Sequence, residues 1–147
     1  MKNTKLHLLI ADDDIDDCDF FQEAIDEIGR ITLSVLNDGV ALMNYLSSEP
    51  VNYPNLIFLD LNMPKKSGLQ CLEEIKAIDT LKNIPIIIYS TSLDKTVVDQ
   101  LYDLGAHHYI QKPGEFANIK KVVEKAIALF SSTNLEQRSK ENFIIQP

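Results

Sequence analysis

Short apolar runs alternate along this chain with longer stretches in which apolar residues recur every three or four positions. Residues 6–11, 31–36, 56–59, 86–89 and 107–110 read as strands, and the first, third and fourth of these are nearly unbroken in apolar character. Unbroken runs are expected of parallel strands covered on both faces. Five helical patterns lie between and after them. The first places Ile15, Cys18, Phe21, Ile25 and Ile28 on one face, with Asp16, Asp17, Asp19, Glu23, Asp26 and Glu27 elsewhere. The second, 38–47, is marked by Val40, Met43 and Leu46, and the third by Gly68, Cys71, Leu72, Ile75 and Ile78. Val97, Val98, Leu101 and Leu104 define the fourth; Phe116, Ile119, Val123, Ala126, Ile127 and Phe130 define the fifth. Gly29, the loop at 49–54, Pro64, Pro85, Gly105 and the Pro113-Gly114 pair supply the breaks.

Strands alternating with helices imply an α/β fold: a five-stranded parallel sheet, doubly wound, with right-handed crossovers. In such sheets ligands bind outside the carboxyl ends of the strands. Those ends carry Asp12 and Asp13, Asp60, Ser90 with Thr91, and Lys112. Three carboxylates in one cleft repel one another and resist ionisation. A hard cation such as Mg²⁺ relieves that repulsion, binding a few oxygens while keeping room for water and a phosphate. Lys112 adds a compact positive donor for phosphate oxygens. The set suits phosphoryl transfer onto a carboxylate, where positioning and charge neutralisation supply most of the catalysis.

Composition narrows the partners. The chain has 147 residues, 45% hydrophobic and 24% charged, which suits one globular domain and not a disordered segment. A net charge of −8 disfavours nucleic acid and anionic membrane surfaces as partners. No run approaches the ~20 apolar residues of a membrane-spanning helix, and residues 6–11 are too short for a signal peptide. The expected location is therefore the cytoplasm. Cys18 and Cys71 are far apart and fall on apolar helix faces, so small core residues are expected, not a disulfide or zinc site.

The segments Leu8-Leu9-Ile10-Ala11-Asp12-Asp13, Leu59-Asp60-Leu61-Asn62-Met63-Pro64, Ser90 and Tyr109-Ile110-Gln111-Lys112-Pro113 resemble the motifs of response-regulator receiver domains. Their order and spacing match over residues 5 to 130. The resemblance implies a flavodoxin-like, CheY-like receiver of the stand-alone type, working in a two-component system or phosphorelay. It makes Asp60 the phosphoacceptor and places Mg²⁺ on Asp12, Asp13, Asp60 and the Asn62 backbone carbonyl. Lys112 and Ser90 contact the phosphoryl group, Ser90 and Tyr109 form the switch, and Thr91 competes with Ser90 for the hydroxyl role. The Lys112–Pro113 peptide resembles the family's cis linkage. Gly114 departs from the apolar residue that most relatives carry there. The implied donor is a sensor histidine kinase or a histidine phosphotransfer protein, and homodimerisation stays open. Such a chain catalyses its own phosphorylation and slow dephosphorylation without being a conventional enzyme. The alternative is a receiver fold serving as a phosphorylation-independent adaptor.

Other chemistries fit less well. A dinucleotide site needs a Gly-rich turn after the first strand, where acids stand instead. A haloacid-dehalogenase-type phosphatase needs an acid two residues after its nucleophile, and Asn62 cannot supply a proton. Asp14 is expected to cap the first helix, and Asp16, Asp17 and Asp19 to form a solvated face. Lys65 and Lys66 are expected in a solvated loop. His107 and His108, adjacent on a strand, point to opposite faces and are not a metal pair. No histidine falls on a predicted helix, so the chain is read as receiving phosphate and not donating it. Residues 1–131 form the expected receiver domain and 132–147 a tail, with 131–137 as linker. Fraying is the default for the 143–145 apolar patch, and docking on the domain or a partner is its alternative.

Overall fold

The strands register side by side and all run the same way, in the order β2-β1-β3-β4-β5. The computed structural model describes residues 6–49, 52–131 and 139–147. The elements are β1 (Leu6–Ala11), α1 (Ile15–Ile28), β2 (Ile31–Leu36), α2 (Gly39–Ser47), β3 (Leu56–Leu59) and α3 (Gly68–Ala77). They continue with β4 (Ile86–Ser90), α4 (Lys95–Asp103), β5 (His108–Gln111) and α5 (Phe116–Ser131), then a 3₁₀ turn at Lys140–Asn142. This is the doubly wound parallel architecture expected of the alternating pattern.

Period-two alternation within each strand divides the core between two faces. Leu9, Ala11, Ile57, Leu59, Ile86 and Ile88 pack under α2, α3 and α4 with Leu42, Leu46, Cys71, Leu72, Ile75 and Leu101. Leu8, Ile10, Phe58, Ile87, Tyr89 and Ile110 pack under α1 and α5 with Phe21, Ile25, Val122, Val123 and Ala126. Cys18 and Cys71 are buried free thiols, as expected. Burial pushes the Cys18 thiol up to about 12 and the Cys71 thiol up to about 11, which keeps both protonated and inert.

Helix starts are set by side-chain caps. Asp14 accepts from the Asp17 N–H, Asp38 from the Ala41 N–H, and Asp94 from the Thr96 and Val97 N–H groups. Ser67 and Gln70 form a reciprocal capping box at α3. Residue 68 must be glycine, because a Cβ there would lie 2.1 Å from the Asp60 carbonyl oxygen. That close approach draws the start of α3 against the end of β3.

Several sequence expectations are corrected. Ile15 is 59% exposed, because the first residue of α1 projects beyond the sheet that the rest of its face covers. Val40 and Ile78 are exposed for the same reason, Val40 in the first turn of α2 and Ile78 as the C-cap of α3. Asp38 precedes α2 as its cap and is not its first turn. Strand β4 runs one residue further than expected and β5 is displaced by one, since Ser90 pairs with Gln111 and the Lys112 N–H bonds the Ser90 carbonyl. Residues 132–137 of the expected linker lie outside the described residues.

The chain end does not fray. The Tyr109 N–H donates to the Phe143 carbonyl at 3.0 Å, and the Ile145 N–H donates to the Tyr109 carbonyl at 2.9 Å. The pair makes an isolated parallel bridge between Tyr109 and Ile144 that covers the free edge of β5. Phe143 and Ile145 are buried on opposite faces of the sheet, and Phe143 meets Tyr102 edge-to-face at 5.3 Å. Lys140 pairs with Asp99 at 3.4 Å, and Lys125 holds the Gln146 carbonyl at 2.7 Å. Apolar burial on both faces outweighs the ordering entropy that makes fraying the default. Phe143→Ala is therefore expected to cost about 3 kcal/mol of unfolding free energy. Urea denaturation checks it, and an unchanged midpoint would mean that the end is not docked in solution.

Candidate functional site

The apolar runs of β1 and β3 stop at adjacent points of the ladder, and acids follow at once. The Asp12 N–H donates to the Leu36 carbonyl and the Asp60 N–H to the Ala11 carbonyl, both at 2.9 Å. The sheet thus sets the two aspartates side by side at its carboxyl edge. Asp12 is fully buried and Asp60 nearly so, while Asp13 is exposed. Carboxylate oxygens of Asp12, Asp13 and Asp60 lie within 4.8 Å of one another. Backbone N–H groups steady the inner pair, Asp14 donating to Asp12 Oδ1 at 3.0 Å and Asn62 to Asp60 Oδ1 at 3.4 Å. Asn37 Nδ2 donates to the Asp12 carbonyl at 2.9 Å.

Lys112 reaches the same point from the end of β5. Its Nζ lies 2.7 Å from Asp12 Oδ2, 2.8 Å from Asp17 Oδ2 and 3.4 Å from Asp60 Oδ2, with 8% of the side chain exposed. The ammonium also stands over the Tyr89 ring, 5.7 Å from its centroid. Burial pulls the Lys112 ammonium towards neutrality, but the Asp12 and Asp17 carboxylates overcome this and hold its pKa above the ordinary lysine value. For Asp12 burial wins: desolvation, aided by Asp60, pushes the carboxyl up to about 6 against the pull of Lys112 and the Asp14 N–H. Tyr89 is likewise raised, by burial above all.

Asp12 Oδ2 is close to the ammonium but outside hydrogen-bonding alignment, and it has no hydrogen-bond partner among the described residues. An under-coordinated buried carboxylate oxygen, facing two further carboxylates, fits a hard divalent cation. The residues available to hold one are Asp12, Asp13 and Asp60.

Ser90 is buried at the end of β4, and Thr91 beside it is exposed. The Ser90 Oγ lies 3.3 Å from Ser92 Oγ and accepts from the Ser92 N–H at 3.4 Å. Tyr109 is buried, and its hydroxyl donates to the Ser92 carbonyl at 2.6 Å. Ser92 therefore joins Ser90 to Tyr109. Asn62 is exposed directly after Leu61, and Pro113 lines a cavity of about 420 Å³ beside Lys112.

Two sequence readings change here. Asp17 is no solvated surface acid, since it bonds the site lysine across 95 positions of sequence. The available signal was its place in the first turn of α1, immediately after the acidic pair. Lys66 is not simply solvated, because it pairs with Glu74, and the more exposed Lys65 pairs with Asp38 at 3.6 Å. His107 and His108 remain apart: His107 Nδ1 accepts from the Ile86 N–H, and His108 stacks beside Phe143.

A family model for the response regulator receiver domain matches residues 8–124. The chain belongs to the response regulator receiver domain family. This receiver is 38% identical over 96 residues to the response regulator Rcp1 of Synechocystis, a match covering 63% of this chain and 65% of Rcp1, so less than two thirds of that relative. Its fold superposes on the phosphorylated cyanobacterial phytochrome response regulator RcpA with a TM-score of 0.80 and 32% identity, covering 88% of this chain and 96% of that one. The Mn²⁺-bound form of Rcp1 gives a TM-score of 0.77 at 32% identity, with 87% and 96% covered. The receiver is thus a two-component signalling domain whose acidic trio is consistent with divalent-metal binding. Among the described residues, no helix is long and apolar enough to cross a membrane.

The raised Asp12 pKa sets an expectation for how binding of a divalent cation would depend on pH. A proton on Asp12 competes with the cation, and that competition ends as pH rises through about 6. Affinity for a divalent cation is expected to be about tenfold lower at pH 5 than at pH 7, then flat to pH 8. In the metal-free protein the sign for stability is opposite: the folded pKa lies above the unfolded value of 3.8, so this group's contribution weakens as pH rises from about 4 to 6. Calorimetric titration at several pH values checks the first expectation, and equal affinities at pH 5 and 7 would contradict it.

Proposed function

We propose that Asp60 accepts a phosphoryl group from a phosphohistidine on a sensor histidine kinase or histidine phosphotransfer protein, in a Mg²⁺-dependent reaction in the cytoplasm. The observation that carries this is the placement of one nearly buried carboxylate, Asp60, between two further acids and a lysine ammonium. In this reading residues 1–131 are the receiver and 132–147 a tail.

A carboxylate oxygen of Asp60 attacks phosphorus in line, the P–N bond breaks, and its electron pair returns to the imidazole. Asp12, Asp13, Asp60 and the Asn62 carbonyl would hold Mg²⁺, which would supply positive charge to offset the carboxylates and the charge developing on the transferring group. Lys112, already 3.4 Å from Asp60, pairs with a phosphoryl oxygen. Water later cleaves the acyl phosphate, returning the free carboxylate.

The new phosphate charge then offers Ser90 a stronger acceptor than Ser92. As the Ser90 hydroxyl turns towards it, the Ser92 segment moves and the Tyr109 hydroxyl loses its fixed partner. The face formed by α4, β5 and α5 carries the change to the next protein. Coupling of this kind is typically worth ~1–3 kcal/mol.

Incubation with a small phosphodonor and Mg²⁺ tests the chemistry. The wild-type chain is expected to gain hydroxylamine-labile phosphate, and Asp60→Asn or omission of the metal to abolish it. Equal labelling of Asp60→Asn would sink the assignment. Ser90→Ala is expected to keep phosphorylation but lose most of its phosphorylation-dependent change in partner affinity, about 5- to 100-fold in the wild type. An undiminished change, read by titration with the cognate partner, would remove Ser90 from the switch.

A further inference from the structure

An ammonium has three N–H donors, and the head of Lys112 is surrounded by three carboxylates. Two of these, Asp12 and Asp60, belong to the acid trio, and the third, Asp17, does not. Asp17 is delivered by the first turn of α1, where its own backbone N–H is fixed on the Asp14 cap at 3.1 Å. Its carboxylate lies 2.8 Å from Nζ, with one third of the side chain exposed. The pair is therefore screened less than a surface ion pair.

The surroundings give this contact a task. The cavity beside the site is lined by Asp17 and Lys112 together with Phe20, Tyr89, Pro113 and Gly114. A long lysine side chain has space there to swing away from Asp60. It also has reason to move once Asp12 and Asp60 are engaged by a cation, because two of its three counter-charges are then shared with a like charge. Asp17, outside the trio, is the counter-charge that remains.

We infer that Asp17 is a positioning residue for Lys112: it keeps the ammonium beside Asp60 while the acid trio is engaged by metal, so that the lysine is in place for the incoming phosphoryl group. The inference rests on Asp60 being the acceptor, and it ties the site to the first turn of α1.

Beryllofluoride, a stable tetrahedral mimic of a phosphoryl group on a carboxylate, provides a binding readout that needs no turnover. Its affinity is measured at saturating Mg²⁺ for wild type, Asp17→Ala, Lys112→Met and the double variant. Asp17→Ala is expected to weaken binding about tenfold when Lys112 is present and less than about twofold when residue 112 is Met, the non-additivity of two groups acting as one. Asp17→Glu should recover part of the loss. Asp17→Asn, isosteric but uncharged, provides the same comparison should truncation disturb α1. Equal losses in both backgrounds, or no loss in either, would overturn the positioning role. If wild type neither binds beryllofluoride nor gains phosphate, the acceptor reading fails and the inference falls with it.

Discussion

Two carboxylates held side by side at the edge of a buried sheet cannot both stay charged without a cation. Asp12 and Asp60 are in that position because their backbone N–H groups are committed to the ladder, and both side chains are buried there. Lys112 is the protein's own answer, and an incomplete one. One ammonium is shared among three acids, and Asp12 is still pushed up to about 6. The residual repulsion would favour a divalent cation, and in the proposed reaction that cation and Lys112 together would offset the charge of a phosphoryl group at Asp60. Much of the local design serves this arrangement. Gly68 lets α3 close on the Asp60 carbonyl, and Asn37 pins the Asp12 carbonyl from the end of β2.

The site is wired outward by hydrogen bonds as well as by charge. Ser90, Ser92 and Tyr109 form one chain from the end of β4 to β5, and Tyr109 is in turn bracketed through its backbone by Phe143 and Ile145. A displacement of the Tyr109 side chain would therefore be felt where the chain end is docked. The edge of β5, which an open sheet would leave unpaired, is covered by residues 143–145 of the same chain.

The fold was legible because its signal is local. Unbroken apolar runs for β1, β3 and β4, three- and four-residue spacing in α1 and α5, and breaks at Gly29, Pro85 and Gly105 all lie within short windows of sequence. The acids and the lysine were legible because parallel sheets gather their strand ends. What stayed hidden depends on distance in space. The Asp17 side chain looks solvated until α1 packs beside α5 and Asp17 meets Lys112, and the 143–145 patch looks loose until the β5 edge is seen open beside it. Ile15 erred the other way, since periodicity places it inward but no sheet lies beneath it.

Borohydride reduction after reaction with a small phosphodonor and Mg²⁺, followed by peptide mapping, tests the central claim most directly. Reduction converts an aspartyl phosphate into homoserine and leaves free carboxylates untouched. The account predicts homoserine at residue 60 and at no other position. Homoserine at Asp12, Asp13 or Asp17, or none anywhere, would contradict it.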